Sequence, residues 1–359
     1  MNKRRISRKI KKRLPLIISI LIGLVIGVLC AVFDAYDTLL YVVLALLLSF
    51  FLHIILHEGG HLIGGLISGY RFESFRIGGV LLVKIDGKLR IKWMPIAGTG
   101  GQCLLSPPDC APEDAPYLVY HAAGSAMNIL SALLHVPLLF TPGIVRIYAI
   151  CMLVVGLYFG LLNGIPLRVT GIDNDGMNIR RMKNDPTLRT VVFRQLQINA
   201  AHSAGTRLRD MPDTWFETYE HTLLHGAMRF CRLIDQGAYN EALSYGQMLL
   251  RSSRLNRIHR GAITNDVETL KLLTGLRVFS ESAFLKAYRK SMAYDPAVQR
   301  ARFVRALLHD RDEAAAAKIF SQFERACRRS PTPASNATEA ELIAAARARY
   351  DELTQTEGA

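Results

Sequence analysis

The sequence predicts a mainly α-helical, polytopic membrane protein with a water-soluble helical region at its carboxyl end. Half of the 359 residues are hydrophobic, yet almost every long apolar run lies before residue 170. Most charged residues lie after that point. A single soluble core would distribute apolar residues along the whole chain, so this asymmetry indicates a membrane half and a soluble half.

Four apolar stretches are long enough to cross a bilayer, and we expect each to form a transmembrane helix. The first, residues 14–33, has no charge and follows residues 1–13, which contain eight basic side chains. A secretory signal peptide begins in the same way, but this run is too long for its apolar core and no small-residue cleavage site follows. The other three stretches are residues 39–70, 117–140 and 144–167.

Basic residues determine the expected orientation of these helices. The loop at residues 71–116 contains six lysines and arginines, whereas residues 34–38 and 141–143 contain none. Because basic loops remain on the cytoplasmic side, we expect a multi-pass cell-membrane protein with the loop and both termini in the cytoplasm. Much of the net charge of +14 lies beside these spans, so we do not expect nucleic acid as a partner.

The loop at residues 71–116 contains a β-hairpin signal. Residues 80–85 and 88–93 are rich in β-forming side chains and flank an Asp-Gly pair. This combination is the strongest short-range signal for a hairpin. The glycine-rich residues 98–102 lack the lysine of a phosphate loop, and we interpret them as a flexible connection.

Residues 177–359 form the predicted cytoplasmic α-helical domain. Segments such as 215–235, 239–250 and 313–327 show helical periodicity with charged faces. Residues 237–243 resemble part of a tetratricopeptide repeat, although no regular repeat period runs through the region. We therefore expect an array of helical hairpins that is a candidate binding surface for a protein partner.

The second apolar stretch contains His-Glu-Gly-Gly-His at residues 57–61. Positions four apart lie on one face of a helix, so His57 and His61 can bind one metal ion. Glu58 is offset from both and is free to accept a proton from a zinc-bound water. The pattern also arises by chance in soluble proteins, but histidines and a carboxylate inside an apolar span are costly unless bound or paired. The setting therefore favours a zinc site, with His53 as a packed or supporting histidine.

Two later segments carry polar residues at membrane depth. Residues 124–128 are Gly-Ser-Ala-Met-Asn, and residues 163–166 are Asn-Gly-Ile-Pro. The proline breaks its helix, which a membrane tolerates only against protein or a wet cavity. Asn163 beside this break either packs between helices or faces a substrate, and interhelical packing is an equally good interpretation of Asn128.

Taken together, these motifs resemble the site-2 protease family of intramembrane zinc metalloproteases. That family combines HExxH on one transmembrane helix with G-P-x-x-N on a second and N-x-x-P followed by Asp-Gly on a third. The matching residues of this chain occur in the same order, at 57–61, 124–128, 163–166 and 175–176. The resemblance covers about residues 39–180, which include the predicted transmembrane metalloprotease domain, residues 14–176, from the second span onward.

The resemblance implies hydrolysis of peptide bonds in membrane-associated proteins or peptide precursors, in or near the lipid bilayer. It implies a zinc ion held by His57, His61 and Asp175, with Glu58 as the general base. By the same likeness, Asn163 helps to hold the substrate or the developing oxyanion. The predicted hairpin could present an edge strand that keeps an unwound substrate extended.

The chain departs from the family pattern in two respects. Ser125 stands in place of the usual proline, and Asp175 lies further from Asn163 than the pattern places it. The longer spacing leaves Asp173 as a rival third ligand. We favour Asp175 because Gly176 follows it, and glycine permits strained dihedrals and a close approach to the metal-binding helix. Asp173 is instead expected to cap the adjacent turn or helix.

Two other functions fit part of this pattern. One is a non-catalytic zinc-bearing membrane scaffold that recruits partners through its helical tail. The intact Glu58 argues against it, because a scaffold needs no base. The other is a metalloprotease of the prenyl-protein type, which takes a glutamate as third ligand. No E-x-x-x-D sequence occurs in a later apolar span, whereas Asp-Gly is present.

Overall fold

The computed structural model describes residues 36–85, 87–94, 100–169, 172–217, 223–253, 255–276 and 281–357. The structure is mainly helical (72%) with a small antiparallel sheet. Three helices are long and apolar enough to cross a membrane, namely Asp37–Ile67, Pro112–Phe140 and Ile144–Gly164. They correspond to three of the four predicted spans. The other predicted span, residues 14–33, and the basic segment at 1–13 lie outside the described residues.

The regular helices within these segments are α1 (Tyr36–Ile67), α2 (Tyr117–Leu134) and α3 (Ile144–Gly164). Helix α1 ends before Gly69, whose φ of 83° belongs to the left-handed region that glycine adopts readily. Helix α3 ends at Gly164, two residues before Pro166, because proline cannot continue the helical hydrogen bonds. Both ends therefore come three residues earlier than the apolar pattern predicts.

Large apolar side chains are exposed along all three helices. Examples from the three helices are Leu47, Phe51, Leu134, Val154 and Leu161. A soluble protein rarely exposes so much contiguous apolar surface. These faces instead suit the hydrocarbon interior of a bilayer, where apolar side chains need no burial against protein.

Residue contacts divide the chain into two compact units. One contains the residues up to His53 together with Asn128–Phe159, and the other contains Ile54–Met127 together with Gly160–Ala359. In the first unit, His53 is fully buried, with Nδ1 3.1 Å from Oδ1 of Asn128 and Nε2 3.0 Å from the carbonyl oxygen of Met152. These hydrogen bonds join three helices, and polar groups commonly hold transmembrane helices together in this way.

The second unit contains a four-stranded antiparallel sheet in the order β3-β2-β1-β4. Its strands are β1 (Arg71–Ile77), β2 (Val80–Ile85), β3 (Lys88–Trp93) and β4 (Gly101–Ser106). The predicted hairpin is the β2–β3 pair, whose register joins Val80 to Trp93. The hairpin pattern did not predict strands β1 and β4. Moreover, Gly101 and Gln102 begin β4, so this part of the glycine-rich segment is a strand and not a flexible connection.

Beyond α3, a short ribbon precedes the helical region. Strand β5 (Arg168–Val169) pairs with β6 (Ile172–Asp173), and α4 (Asp175–Asn184) follows directly. The remaining helices are α5 (Pro186–Ser203), α6 (Leu223–Asp235), α7 (Tyr239–Leu250), α8 (Arg257–Leu273), α9 (Ala283–Ser291), α10 (Pro296–Val304), α11 (Glu313–Arg329) and α12 (Pro333–Glu357). Helix α4 thus runs across the boundary that composition suggested at residue 177.

Helices α6 and α7 form a helical hairpin whose turn contains Gly237, with a φ of 75°. Their apolar faces form one core with residues of α8, because each amphipathic helix must bury its apolar stripe. Buried members of this core are Phe230, Leu233, Ala242, Leu243, Val267 and Leu270. The predicted helix at residues 239–250 agrees with α7 at both ends.

Candidate metal centre

His57 and His61 lie one turn apart on α1, and their Nε2 atoms are 3.2 Å from each other. Nδ1 of His61 is 2.8 Å from the carbonyl oxygen of Tyr120. A carbonyl oxygen only accepts hydrogen bonds, so Nδ1 of His61 donates this one, and Nε2 is the ring nitrogen that faces the site. Hydrogen bonding of the far ring nitrogen is the usual way in which a protein orients a metal-binding histidine.

Asp175, at the start of α4, joins the two histidines. Its Oδ2 lies 3.2 Å from Nε2 of His57 and 3.4 Å from Nε2 of His61. Tetrahedral zinc with bonds of about 2.0–2.1 Å separates its ligand atoms by about 3.3–3.4 Å. The triangle formed by these three atoms therefore has the size and the donor chemistry of a two-histidine, one-carboxylate zinc site.

The other carboxylate oxygen of Asp175 faces His121 on α2, with 3.9 Å between Oδ1 and Nδ1. Burial alone raises the pKa of Asp175, but contacts with His121, His57 and His61 outweigh burial and hold that pKa well below its usual range. Asp175 is therefore ionised, as a metal ligand must be. His121 lies outside the sequence motifs. The signal was its position three residues before Gly124, which puts both on one face of α2.

Asp173 is placed differently. Its carboxylate pairs with Arg168, whose Nε is 2.9 Å from Oδ1, and with Arg181. The β5–β6 ribbon accommodates the longer spacing before the Asp-Gly pair. The expectation that Asp173 caps a helix was wrong, because the cap of α4 is Asn174, whose Oδ1 accepts a hydrogen bond from the backbone N–H of Met177 at 2.9 Å.

Glycines allow the elements of the site to approach closely. A Cβ atom on Gly124 would lie 2.5 Å from Nε2 of His61 and 2.9 Å from Cε1 of His57. Segment 124–128 therefore contributes to the site through its glycine. The expectation that Gly176 adopts strained dihedrals beside the metal-binding helix was wrong. Gly176 is helical, and it packs against the backbone of Gly164 at the end of α3.

Glu58 lies between the histidines and strand β4. A Cβ atom on Gly101 would be 2.6 Å from Cγ of Glu58 and 2.8 Å from its Oε1. The backbone N–H of Cys103 donates a hydrogen bond to the Glu58 carboxylate. Arg76 on β1 is 1% exposed and interacts electrostatically with Glu58. Glu58 is thus a carboxylate beside the ligand triangle, held by the sheet and available for proton transfer.

The two asparagines of the sequence motifs have different surroundings. Asn163 is half-buried in the last turn of α3, next to Gly164. Asn128 is fully buried and hydrogen-bonded to His53, and both residues belong to the first of the two units. Ser125, the residue that replaces the usual proline, is buried, and a Cβ atom on Gly164 would lie 3.5 Å from its Cβ. Small side chains therefore bring the broken end of α3 close to α2.

Comparisons with protein-family models, with curated proteins and with solved structures find no match to this chain. The motifs and the geometry of the metal centre are therefore the features that point to a function.

Proposed function

We propose that this chain is an intramembrane zinc metalloprotease of the site-2 protease type. The observation that carries the proposal is the convergence of His57, His61 and Asp175 on one point, with Glu58 directly beside them. In a chance HExxH sequence, a carboxylate from a distant helix is not expected within metal-ligand distance of both histidines. Three helices with exposed apolar side chains support a location in the bilayer.

In this proposal His57, His61 and Asp175 hold the zinc ion. When bound, zinc supplies a Lewis acid that polarises the scissile carbonyl and makes water more acidic. Glu58 accepts a proton from the attacking water and delivers it to the amine that leaves, so that one peptide bond is exchanged for a carboxylate and an amine. Asn163, half-buried at the helix break, would hydrogen-bond the substrate or the oxyanion.

Substrate would be recruited at the sheet. The backbone of Cys103, on the outer edge of β4, already makes two hydrogen bonds. Its N–H donates to the Glu58 carboxylate, and its carbonyl oxygen accepts from the hydroxyl of Tyr120 at 3.1 Å. The opposite edge is β3 in the predicted hairpin, and most of its residues are exposed. Strands are about 4.8 Å apart, so a segment added to β3 lies four spacings, or about 19 Å, from β4. It would bind membrane-protein or peptide substrates several residues from the bond that is cut.

The proposal includes four transmembrane helices, with both termini and the sheet in the cytoplasm. The six basic residues of the 71–116 loop support this orientation. A single cysteine at position 88, in a background without the six native cysteines, should resist impermeant thiol reagents applied to the outside of intact cells. Efficient labelling there would reverse the orientation.

The helical tail would recruit a protein partner through tetratricopeptide-like hairpins. The α6–α7 hairpin and its shared core with α8 support such an array. Truncation after α5 would then abolish copurification of the partner while zinc remains bound.

The variant Glu58→Gln tests the catalytic proposal. It should retain zinc and lose proteolysis, because the amide cannot accept the proton while the three ligands are untouched. The measurements are the zinc content of purified protein and the quantity of new peptide termini in membranes that contain either variant. Glu73→Gln, a half-buried glutamate on β1, is the matched control and should cleave normally. Full cleavage by Glu58→Gln would exclude the mechanism, and zinc binding without cleavage by the unmodified protein would favour the scaffold.

A further inference from the structure

The proline break at the end of α3 removes a backbone N–H that a continuous helix would use as a hydrogen-bond donor. In a continuous helix the N–H of residue 166 would bond to the carbonyl of Leu162, but Pro166 has no N–H. The side chain of Asn174 supplies the missing donor. Its Nδ2 lies 2.6 Å from the carbonyl oxygen of Leu162 and 2.7 Å from that of Ile165.

The amide oxygen of the same side chain serves the following helix. Oδ1 of Asn174 accepts the backbone N–H of Met177 at 2.9 Å, which caps α4, and that of Leu167 at 3.0 Å. The amide therefore donates two hydrogen bonds and accepts two, so its capacity is fully used. Its backbone N–H also bonds to the carbonyl of Leu167 at 3.1 Å.

Asn174 thus joins two helix ends, one of which carries a residue of the metal centre. On one side is the broken end of α3. On the other is the first turn of α4, whose first residue is Asp175. We propose that Asn174 is a positioning residue, which holds the Asp175 carboxylate at the two histidines by fixing α4 to the end of α3. This inference rests on the proposed metal site.

The expected effect of losing this link is on zinc affinity. Ligand distances in a working site must be correct to about 0.2 Å, and a freed α4 can move by more than that. Removal of residues that orient metal ligands typically weakens binding by about 10- to 100-fold. Chelator competition on the purified full-length protein measures this change directly, without any substrate.

Two variants separate the roles of the Asn174 side chain. Asn174→Asp keeps an oxygen that caps α4 but loses both donors to α3, and it faces the carbonyls of Leu162 and Ile165 with a carboxylate. Asn174→Ala loses both functions. If the link to α3 positions Asp175, both variants should weaken zinc binding by about 10-fold or more. If capping were the whole role, Asn174→Asp would bind zinc like the unmodified protein, and the inference would be overturned.

Asp185→Ala is the matched control for loss of a helix cap. Asp185 caps α5 by accepting the backbone N–H of Leu188 at 3.0 Å, one helix away from Asp175. Its loss should lower thermal stability but leave zinc affinity unchanged. The absorption spectrum of the cobalt-loaded protein gives a second readout, and it should change in Asn174→Asp but not in Asp185→Ala. An unchanged spectrum and affinity in Asn174→Asp would refute the positioning role, whereas a failure of the unmodified protein to bind any metal would refute the proposed function itself.

Discussion

A single methyl group at Gly124 should disable the metal centre. The Cβ atom of an alanine there would lie 2.5 Å from Nε2 of His61, 2.8 Å from its Cε1 and 2.9 Å from Cε1 of His57. All three atoms belong to the rings that face Asp175. The helix backbone cannot yield without separating α1 from α2, so an imidazole must move.

The required movement follows from ordinary contact distances. Carbon and nitrogen atoms in contact stay about 3.5 Å apart, so the His61 ring must shift by about 1 Å. Metal ligands tolerate only about 0.2 Å. The displacement should therefore weaken zinc binding by at least about 100-fold, which corresponds to about 2.8 kcal/mol. Alanine favours a helix over glycine by about 1 kcal/mol, so helix propensity does not explain a loss.

Gly59→Ala is the internal control, because a Cβ atom on Gly59 meets no atom of the described structure within 4 Å. Chelator competition on both purified variants should show wild-type zinc affinity for Gly59→Ala and a large loss for Gly124→Ala. Cleavage should follow zinc occupancy. Equal, undiminished zinc affinity in both variants would mean that the histidine rings do not occupy the space against Gly124.

Three further predictions concern other parts of the chain. Asp175→Ala should release zinc whereas Asp173→Ala should retain it, as metal analysis would show, and the reverse result would identify Asp173 as the ligand. Asn128→Leu should lower the stability of the detergent-solubilised protein by about 1 kcal/mol, because its buried histidine partner loses a hydrogen bond, and an unchanged melting temperature would contradict this. Burial raises the pKa of Asp235, but hydrogen bonds from Arg207, a threonine and a backbone N–H outweigh burial and lower it. The stabilisation from Asp235 is therefore present above the unfolded pKa of about 3.9 and is lost as pH falls through the lower folded value. Between about pH 4 and 3 the melting temperature should fall more steeply for the unmodified protein than for Asp235→Asn, and parallel curves would refute the assignment.

Local patterns in the sequence predicted those features that depend on neighbouring residues. The apolar runs predicted the three helices that can cross a membrane, because length and hydrophobicity are properties of each segment. The spacing of His57 and His61 predicted two imidazoles on one face, since one helical turn alone produces that arrangement. The Asp-Gly pair predicted the β2–β3 hairpin for the same reason. Strand β4 carries no comparable local signal, because it pairs with β1 across the intervening hairpin.

The tertiary structure decided how distant segments complete the centre. Asp173 and Asp175 are equivalent by residue type, and only the path of the β5–β6 ribbon directs one to two arginines and the other to the histidines. His121 and Asn174 acquire their roles in the same way, since their partners come from other helices. Helical periodicity specifies which residues share a face, but it contains no information about where one helix ends against another. That meeting point is set here by the proline break of α3, by its small neighbouring residues and by the hydrogen bonds of Asn174.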